Sequence, residues 1–256
     1  MALSKLSRDS TWRAGFQGLT LSESNFDVVL QDHNTNHSLS LMDLKIVSTA
    51  NYNNISKTIE LLMAIPPNLG DLAVFCTDTI MNVTVTDEFG NPDSSLFIEN
   101  ALDMLPFDKD GLVALAASQG HVYAGDFVPT DGYPNNDFYY DFDNGIPNVT
   151  HVNGDFTVNG GTTVYGIFVV EGNADLNGSA RLEGVVYLPN PESIIINGSG
   201  DPNEAAVTGG IVVNGSVDGA GNHIDIQYNS EYMHNFAAFQ TDRDPYIISW
   251  TESPDA

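Results

Sequence analysis

The stretch from residue 151 to residue 228 constrains the fold most, because glycines and Asn-Gly pairs cut it into short apolar runs. These runs cover residues 154–158, 166–170, 184–188, 193–196 and 210–213. The glycine that opens a run recurs after 18 residues, from Gly166 to Gly184, and again after 26 residues, from Gly184 to Gly210. Repeats of this length suit the coils of a β-solenoid.

Asn-Gly pairs supply the positive φ angles that tight corners need, and they begin at Asn144, Asn153, Asn159, Asn177, Asn197 and Asn214. The same pairs could close β-hairpins, which would give a β-sandwich. We favour the solenoid because the strands are short and the glycines precede them in matching places.

The first part of the chain has a different pattern. Residues 2–8 fit the last turns of a helix, and residues 25–30, 41–48 and 55–63 alternate or are β-branched between Asn-rich turns. This pattern predicts an antiparallel meander. Pro66 and Pro67 break it, so we expect one domain over residues 1–65 and a second over residues 66–256, with the strand at residues 246–250 returning to the first sheet.

One internal helix is predicted over residues 110–118. Asp108 or Asp110 stands at its start and Gly120 lies just past its end, as expected for helix caps. We expect this helix to cap the open end of the solenoid.

The charge is strongly one-sided, with 34 Asp and Glu against 8 Lys and Arg and a net charge of −26. Phosphate backbones and anionic lipid surfaces would repel such a chain, so nucleic acid is excluded as a partner. Cys76 is the single cysteine, which excludes an internal disulfide, and its apolar neighbours predict a buried side chain. No apolar run is long enough to span a bilayer.

Common catalytic motifs are missing from the sequence: it has no phosphate-binding glycine loop with Lys, no His-Glu-x-x-His and no Gly-x-Ser-x-Gly. Binding a uronate normally requires Arg or Lys, but only Arg181 and Arg243 follow Lys109. We therefore predict that the protein is not an enzyme and has no cofactor other than calcium.

Calcium is the candidate metal because oxygen ligands are concentrated at residues 137–145, within the loop at residues 126–145. Asp137, Asp141 and Asp143 are the candidate ligands. The EF-hand pattern fails. When the loop is counted from Asp141 as its first position, Ile146 stands in place of the turn glycine and Val152 in place of the closing acid. A plain polar loop is the alternative.

Tyr139 and Tyr140 lie in the same loop and are candidate ligand-binding residues, because adjacent aromatic rings could stack on a sugar. The alternative is that these rings pack the loop onto its own scaffold.

Taken together, the two parts resemble the PilX-like, type IV pilin-related surface proteins of bacteria. Residues 2–9 and 11–16 look like the helix-to-sheet junction of that family, and residues 25–30 and 57–62 look like its first strands. Residues 164–178 are similar to its glycine-punctuated region, and residues 248–252 to its C-terminal ending. The prepilin peptidase site and the apolar assembly helix of the family are not in this sequence.

The resemblance implies a helix remnant and a small pilin-like antiparallel sheet, followed by a right-handed β-solenoid. It implies a minor pilin or pseudopilin-like subunit that acts in pilus assembly or adhesion and contacts other pilin-like subunits and surface glycans. If an upstream anchor helix was removed, the protein is extracellular or on the cell surface, and that helix is its one link to a membrane. Two alternatives stay open: a carbohydrate-binding or carbohydrate-active β-helix, and a bactofilin-like polymer-forming scaffold.

Overall fold

The structure is a computed structural model, and it describes residues 16–21, 24–32, 35–36, 43–52, 55–64, 66–101, 103–197, 204–220, 224–241 and 246–253. The protein is mainly β, with antiparallel and parallel sheets, which confirms that part of the prediction. The chain divides into two compact units. Residues 1–67 and 242–256 form one, here called the antiparallel unit, and residues 68–241 form the other, the parallel unit. The helical turns predicted at residues 2–8 lie outside the described residues.

The antiparallel unit contains one five-stranded sheet. Its strands are β1 (Phe16–Leu21), β2 (Ser24–Gln31), β3 (Asp43–Tyr52), β4 (Ile55–Ala64) and β21 (Tyr246–Ser253), in the order β1-β2-β3-β4-β21. Opposite residues in neighbouring strands share a face, and the row Leu30, Ile46 and Leu61 is apolar. Leu30 and Ile46 are buried in this row, so one face of the sheet forms the core of the unit.

The parallel unit contains a large sheet, a small sheet and a hairpin. The large sheet consists of β5 (Val74–Cys76), β7 (Val83–Thr86), β8 (Phe97–Ile98), β9 (Val122–Tyr123), β12 (Val149–Val152), β14 (Thr163–Val170), β16 (Arg181–Leu188), β18 (Val207–Val213) and β20 (Ile224–Tyr228). The small sheet consists of β6 (Ile80–Met81), β13 (Phe156–Val158), β15 (Ala174–Asn177), β17 (Ile194–Asn197) and β19 (Val217–Asp218). The hairpin is β10 (Tyr139–Asp141) with β11 (Ile146–Pro147).

From β12 to β20 the chain alternates between the two sheets, and every pairing between these strands is parallel. Val149 lies opposite Ile167, and Ile167 lies opposite Val185, so each of these two steps adds 18 residues. The next step adds 25 residues, because Gly184 lies opposite Gly209. The sequence prediction placed Gly210 there, which was wrong by one residue.

A column of three glycines in the large sheet marks the register of β14, β16 and β18. Gly166, Gly184 and Gly209 lie opposite one another and all have positive φ, at 107°, 150° and 132°. A Cβ on Gly184 would collide with the carbonyl oxygen of Gly166, and a Cβ on Gly209 with that of Gly184. The neighbouring Gly210 does not have a positive φ. Because both residues are glycine, the sequence alone does not show which of the two belongs to the column.

A second column, made of polar side chains, joins the corners before the small-sheet strands. Asp126 Oδ1 accepts the backbone N–H of Asp155 at 3.1 Å, and Asp155 Oδ1 accepts that of Asn173 at 2.9 Å. Asn173 Oδ1 in turn accepts the N–H of Ser193 at 3.2 Å. Each corner side chain therefore satisfies a backbone donor of the following repeat, which fixes the stacking of the corners.

The start of the parallel unit completes the stack beyond its C-terminal strands. One edge of β18 pairs with β16 along its length, and the other edge pairs with β20 in its first half and with β5 in its second half. In the same way β6 pairs with β19, and β7 pairs with β20. Two segments that are far apart in sequence thus supply the strands of one further layer.

Two α-helices occur among the described residues, α1 (Lys109–Gln119) and α2 (Ser230–Ala237), besides short 3₁₀ turns at Leu69–Asp71 and Ser94–Leu96. The prediction of α1 is confirmed: Asp108 Oδ1 accepts the N–H of Gly111 at 2.9 Å, and Gly120 follows with φ of 78°. The sequence prediction missed α2, whose N-cap is Asn229. Neither helix is long and apolar enough to cross a membrane.

Both helices lie against strands of the large sheet. Helix α1 lies against β9, β12 and β14, and α2 lies against β16 and β18. Phe236 of α2 contacts the ring of Tyr187 at 5.6 Å, and the Met233 side chain lies over Gly210. The helix predicted to cap an open end therefore lies along three strands of one sheet.

Aromatic side chains cover the end of the core next to β9 and β13. The backbone of Phe127 forms a bridge with Phe156, and that of Tyr133 with Val164, so residues 121–133 add a layer there. The Phe127 ring stacks on the rings of Tyr123 at 3.7 Å and Phe156 at 6.3 Å. These rings help to shield the end of the apolar interior from water.

Candidate functional site

The loop at residues 126–145 contains all the candidate site residues. Hydrogen bonds and an aromatic contact attach it to the rest of the parallel unit. Asn148, which is 1% exposed, donates through Nδ2 to Asn135 Oδ1 and to the carbonyl oxygen of Asp137, both at 2.8 Å. Phe138 is buried and stacks on Tyr232 of α2 at 4.1 Å with an interplanar angle of 17°. The loop is thus held by hydrogen bonds from the buried Asn148 side chain and by the contact of the buried Phe138 ring with α2.

The tip of the loop is the tight turn of the β10–β11 hairpin. Asp141 accepts the N–H of Asn144 at 3.2 Å and the Asn144 side-chain amide at 2.7 Å. Gly145 has φ of 64°, a left-handed conformation that glycine adopts without a Cβ penalty. Phe142 lies in this turn and is 71% exposed. The turn is therefore ordered by local hydrogen bonds while it holds an apolar ring in water.

The three candidate calcium ligands are used separately. Asp137 Oδ1 accepts the N–H of Tyr139 at 3.0 Å, Asp141 holds Asn144, and Asp143 is exposed. Within the part of the chain that the structure describes, no three His, Cys, Asp or Glu side chains form a group that could hold a metal ion. The structure does not bring Asp137, Asp141 and Asp143 together, and calcium binding at this loop stays a prediction.

Tyr139 and Tyr140 lie in different surroundings. The Tyr139 hydroxyl donates to Glu231 Oε1 at 2.6 Å and accepts from Asn235 Nδ2 at 3.1 Å, both on α2. Partial burial raises the pKa of Tyr139, and the neighbouring Glu231 carboxylate raises it further. Tyr140 is 53% exposed, and its ring meets His121 edge-on at 6.3 Å. Because adjacent strand residues point to opposite sides, the two rings do not form one stacking platform.

Carboxylates surround the aromatic contact between the loop and α2. Burial raises the pKa of Tyr232 to about 12, and the charges of Glu183, Glu231 and Asp137 add to the effect. Glu183 is half-buried on β16, and burial raises the pKa of its own carboxyl group. This part of the surface therefore combines aromatic rings with negative charge.

A second polar cluster, which the sequence analysis missed, joins α1 to the corners of the large sheet. Glu171 Oε1 accepts from Lys109 Nζ and contacts His151 Nε2, both at 3.1 Å, and Glu171 Oε2 accepts from Asn190 Nδ2 at 3.0 Å. Burial by itself would raise the pKa of Glu171, but the hydrogen bonds and charges of Lys109 and His151 outweigh it and hold the pKa below its usual value.

The Glu171 cluster had no signal in the sequence, because its members are separated by 19 to 62 residues and become neighbours only through the register of the strands. Helix α2 did have a signal. Asn229 precedes Glu231 in the first turn, and Met233, Phe236 and Ala237 follow at helical spacing and are buried.

Comparisons with protein-family profiles, with curated proteins and with solved structures each find no match to this chain.

Proposed function

We propose that the protein is a non-enzymatic structural subunit of the cell envelope, similar to a minor pilin or pseudopilin, in which the antiparallel unit contacts neighbouring subunits and the parallel unit is displayed. The observation that carries this proposal is the connection between the units. The chain leaves the first sheet after β4 and returns in β21, and Ala64 lies directly opposite Tyr246. A whole unit of the protein is inserted between two paired strands, as expected for a displayed domain on an assembly module.

The displayed unit is, in this proposal, a right-handed β-solenoid. Strands that alternate between two parallel sheets and advance by a constant 18 residues over two steps support it. The glycine column and the corner column are devices that need stacked, in-register repeats.

The sheet of the antiparallel unit offers a surface for subunit contact. Trp250 lies opposite Leu61 and therefore continues the apolar row of Leu30 and Ile46 to the edge strand β21. Trp250 is 64% exposed, and Ile247 on the same strand is 56% exposed. Exposed apolar side chains on an edge strand are typical of sites that bind another protein.

The polar clusters of the parallel unit support a scaffold more than a catalyst. Glu171 uses both carboxylate oxygens to join α1 to two corners of the large sheet, and the Tyr139 hydroxyl joins the hairpin to α2. These groups already have structural partners on the elements that they connect.

Carbohydrate binding is the second candidate function. The exposed rings of Tyr140 and Phe142 next to Asp141 and Asp143 favour it, because aromatic faces and carboxylates are common in sugar sites. A stacked polymer of the bactofilin kind is less favoured. Pro92 forms a bridge with Thr86, and the N–H of Asp93 donates to Val85, so the outer edge of β7 already has partners.

Immunogold electron microscopy of intact cells tests the envelope proposal, with antibodies raised against residues 68–241. We expect label on envelope filaments of cells that carry the natural gene. Trp250→Ser should lower this label about tenfold if the ring is an interface anchor, whereas Val29→Ser, on the opposite face of the same sheet, should not. Label that appears only after the cells are permeabilised would refute the proposal.

A glycan array tests the second candidate. Binding that is lost in Phe142→Ser would favour a carbohydrate-binding protein, and an array without binders would count against one.

A further inference from the structure

Phe89 is the most exposed large apolar side chain among the described residues, at 86%, and its turn is well ordered. Asp87 Oδ1 accepts the backbone N–H groups of Phe89 and Asn91, each at 2.8 Å, and Gly90 has φ of 81°. The backbone around the ring is therefore fixed, while the ring itself makes little contact with the protein.

The Phe89 turn is joined to the start of α2. Glu88 Oε1 accepts the N–H of Ser230 at 2.8 Å, and the carbonyl oxygen of Glu88 accepts from Gln227 Nε2 at 2.8 Å. Both contacts are between residues that are about 140 positions apart in sequence. The turn is thus attached to β20 and α2 as well as ordered internally.

The Phe142 turn has the same construction. An aspartate, Asp141, orders the turn through Asn144, a glycine with positive φ ends it, and the phenylalanine is exposed. Tyr139 meets the Phe142 ring edge-on at 5.3 Å and donates its hydroxyl to Glu231. The two turns are therefore attached to consecutive residues of α2, Ser230 and Glu231.

Two hydrogen-bonded turns that each expose a phenylalanine, and that are both attached to one short helix, have the properties of binding anchors. An aromatic ring that is already held in place loses little conformational freedom when a partner covers it. Large aromatic side chains also carry much of the binding energy of protein interfaces.

The charge around the anchors selects the chemistry of the partner. Asp87, Glu88, Glu231, Asp141 and Asp143 lie on or beside the two turns. Residues 68–241 contain two basic residues other than histidine, Lys109 and Arg181, and these pair with Glu171 and Glu204. The surface would repel anionic lipids and acidic glycans and attract a cationic chain.

We propose that the Phe89 turn, the Phe142 turn and the start of α2 form a two-anchor docking surface for a cationic polypeptide with apolar side chains. This surface lies in the parallel unit, so it can be tested separately from subunit assembly through Trp250. The acidic residues attract the partner, and the two rings enter its apolar sites.

Titration calorimetry with the full chain tests the surface. The probe is a short peptide that alternates lysine and leucine, and the reference peptide alternates lysine and serine, with equal charge. We expect the lysine-leucine peptide to bind at least about tenfold more tightly than the reference. Phe89→Ser with Phe142→Ser should remove this preference, and Met81→Ser, an exposed apolar residue on the small sheet, should keep it.

Three results would overturn the proposal. They are no binding of the lysine-leucine peptide, equal binding of both peptides, and a preference that survives the double substitution. Binding of uncharged oligosaccharides that depends on the two rings would assign the surface to a glycan instead. Thermal melting of each variant checks that the fold is kept, which we expect because the substituted side chains are exposed.

Discussion

The two parallel sheets contribute to one core but differ on their outer faces. In the large sheet, residues 166–170 and 184–188 are buried on both faces, because α1 and α2 lie against this sheet. In the small sheet, burial alternates: Ala174 and Leu176 face the core, while Asp175 and Asn177 are partly exposed on the other side. The large sheet is therefore covered on both faces and the small sheet on one, and α2, which covers part of the large sheet, also holds both candidate binding turns.

The largest expected effect comes from the glycine column of the large sheet. In Gly184→Ala the new Cβ would collide with the Gly166 carbonyl oxygen, so the two strands must move apart. We expect a loss of about 3 to 5 kcal/mol in the free energy of unfolding. Urea denaturation measures it. Gly125→Ala is the control, because nothing lies within 4 Å of its Cβ position, and it should change stability little. Equal stability of the two variants would contradict the close stacking of the column.

Two isoleucines test the difference between the sheets directly. Ile167 on the outer face of the large sheet is 0% exposed, whereas Ile195 on the outer face of the small sheet is only half-buried. Ile167→Ala should cost about 2 to 4 kcal/mol and Ile195→Ala about 1 kcal/mol or less. Chemical denaturation of both variants compares them. A larger loss at Ile195 would mean that the small sheet is the better covered one.

A smaller effect is expected where α1 is joined to the large sheet. Glu171→Gln weakens the contacts with Lys109 and His151 and should cost about 1 to 2 kcal/mol at neutral pH. The exposed pair of Lys57 and Glu252, 2.9 Å apart, supplies the control, and Glu252→Gln should cost less than about 0.5 kcal/mol.

The Glu171 contribution has a defined pH dependence. Because the folded protein lowers the pKa of Glu171, the carboxylate stabilises the fold fully above its ordinary value of 4.5, and this contribution is lost as the pH falls through the lower folded value. The stability difference between the natural protein and Glu171→Gln should therefore shrink below pH 4.5. A difference that grew with acidity would contradict the assignment.

Many of the strands and the helix α1 could be predicted from the sequence, because their signals lie in short stretches of neighbouring residues. The short apolar runs predicted strands, and the caps at Asp108 and Gly120 predicted α1. The position of α1 was not predictable in the same way, since Leu112 and Ala116 show that it buries a face but not which strands cover that face. The sequence did contain one signal that this sheet is covered on both faces, namely the continuous apolar run at residues 166–170. Strands that are buried on both faces are typically continuous apolar runs, and all five residues are buried in the structure.

The candidate site was only partly predictable. The sequence placed acids and rings in the loop at residues 126–145, but Tyr139 binds α2, while Tyr140 is exposed. That outcome depends on α2, which lies about 90 residues further along the chain. The composition of residues 87–93 predicts a loop, but a binding role for Phe89 is not predictable from the sequence, because it depends on the exposure of the ring and on the hydrogen bond between Glu88 and Ser230.

The register in which the repeats stack can be tested directly by cross-linking neighbouring strands of the small sheet. Thr157 lies opposite Asp175 on the outer face of the small sheet, and Asp175 lies opposite Ile195. Adjacent parallel strands are about 4.8 Å apart, within the range that a disulfide spans, and strands two apart are about 9.6 Å apart, which exceeds it.

The measurement is peptide mapping after mild oxidation of two double variants, Thr157→Cys with Asp175→Cys and Thr157→Cys with Ile195→Cys. Cys76 should not interfere, because burial raises the pKa of its thiol to about 12. We expect a disulfide in the first variant and none in the second. A disulfide in the second variant, or in neither, would contradict the in-register stack.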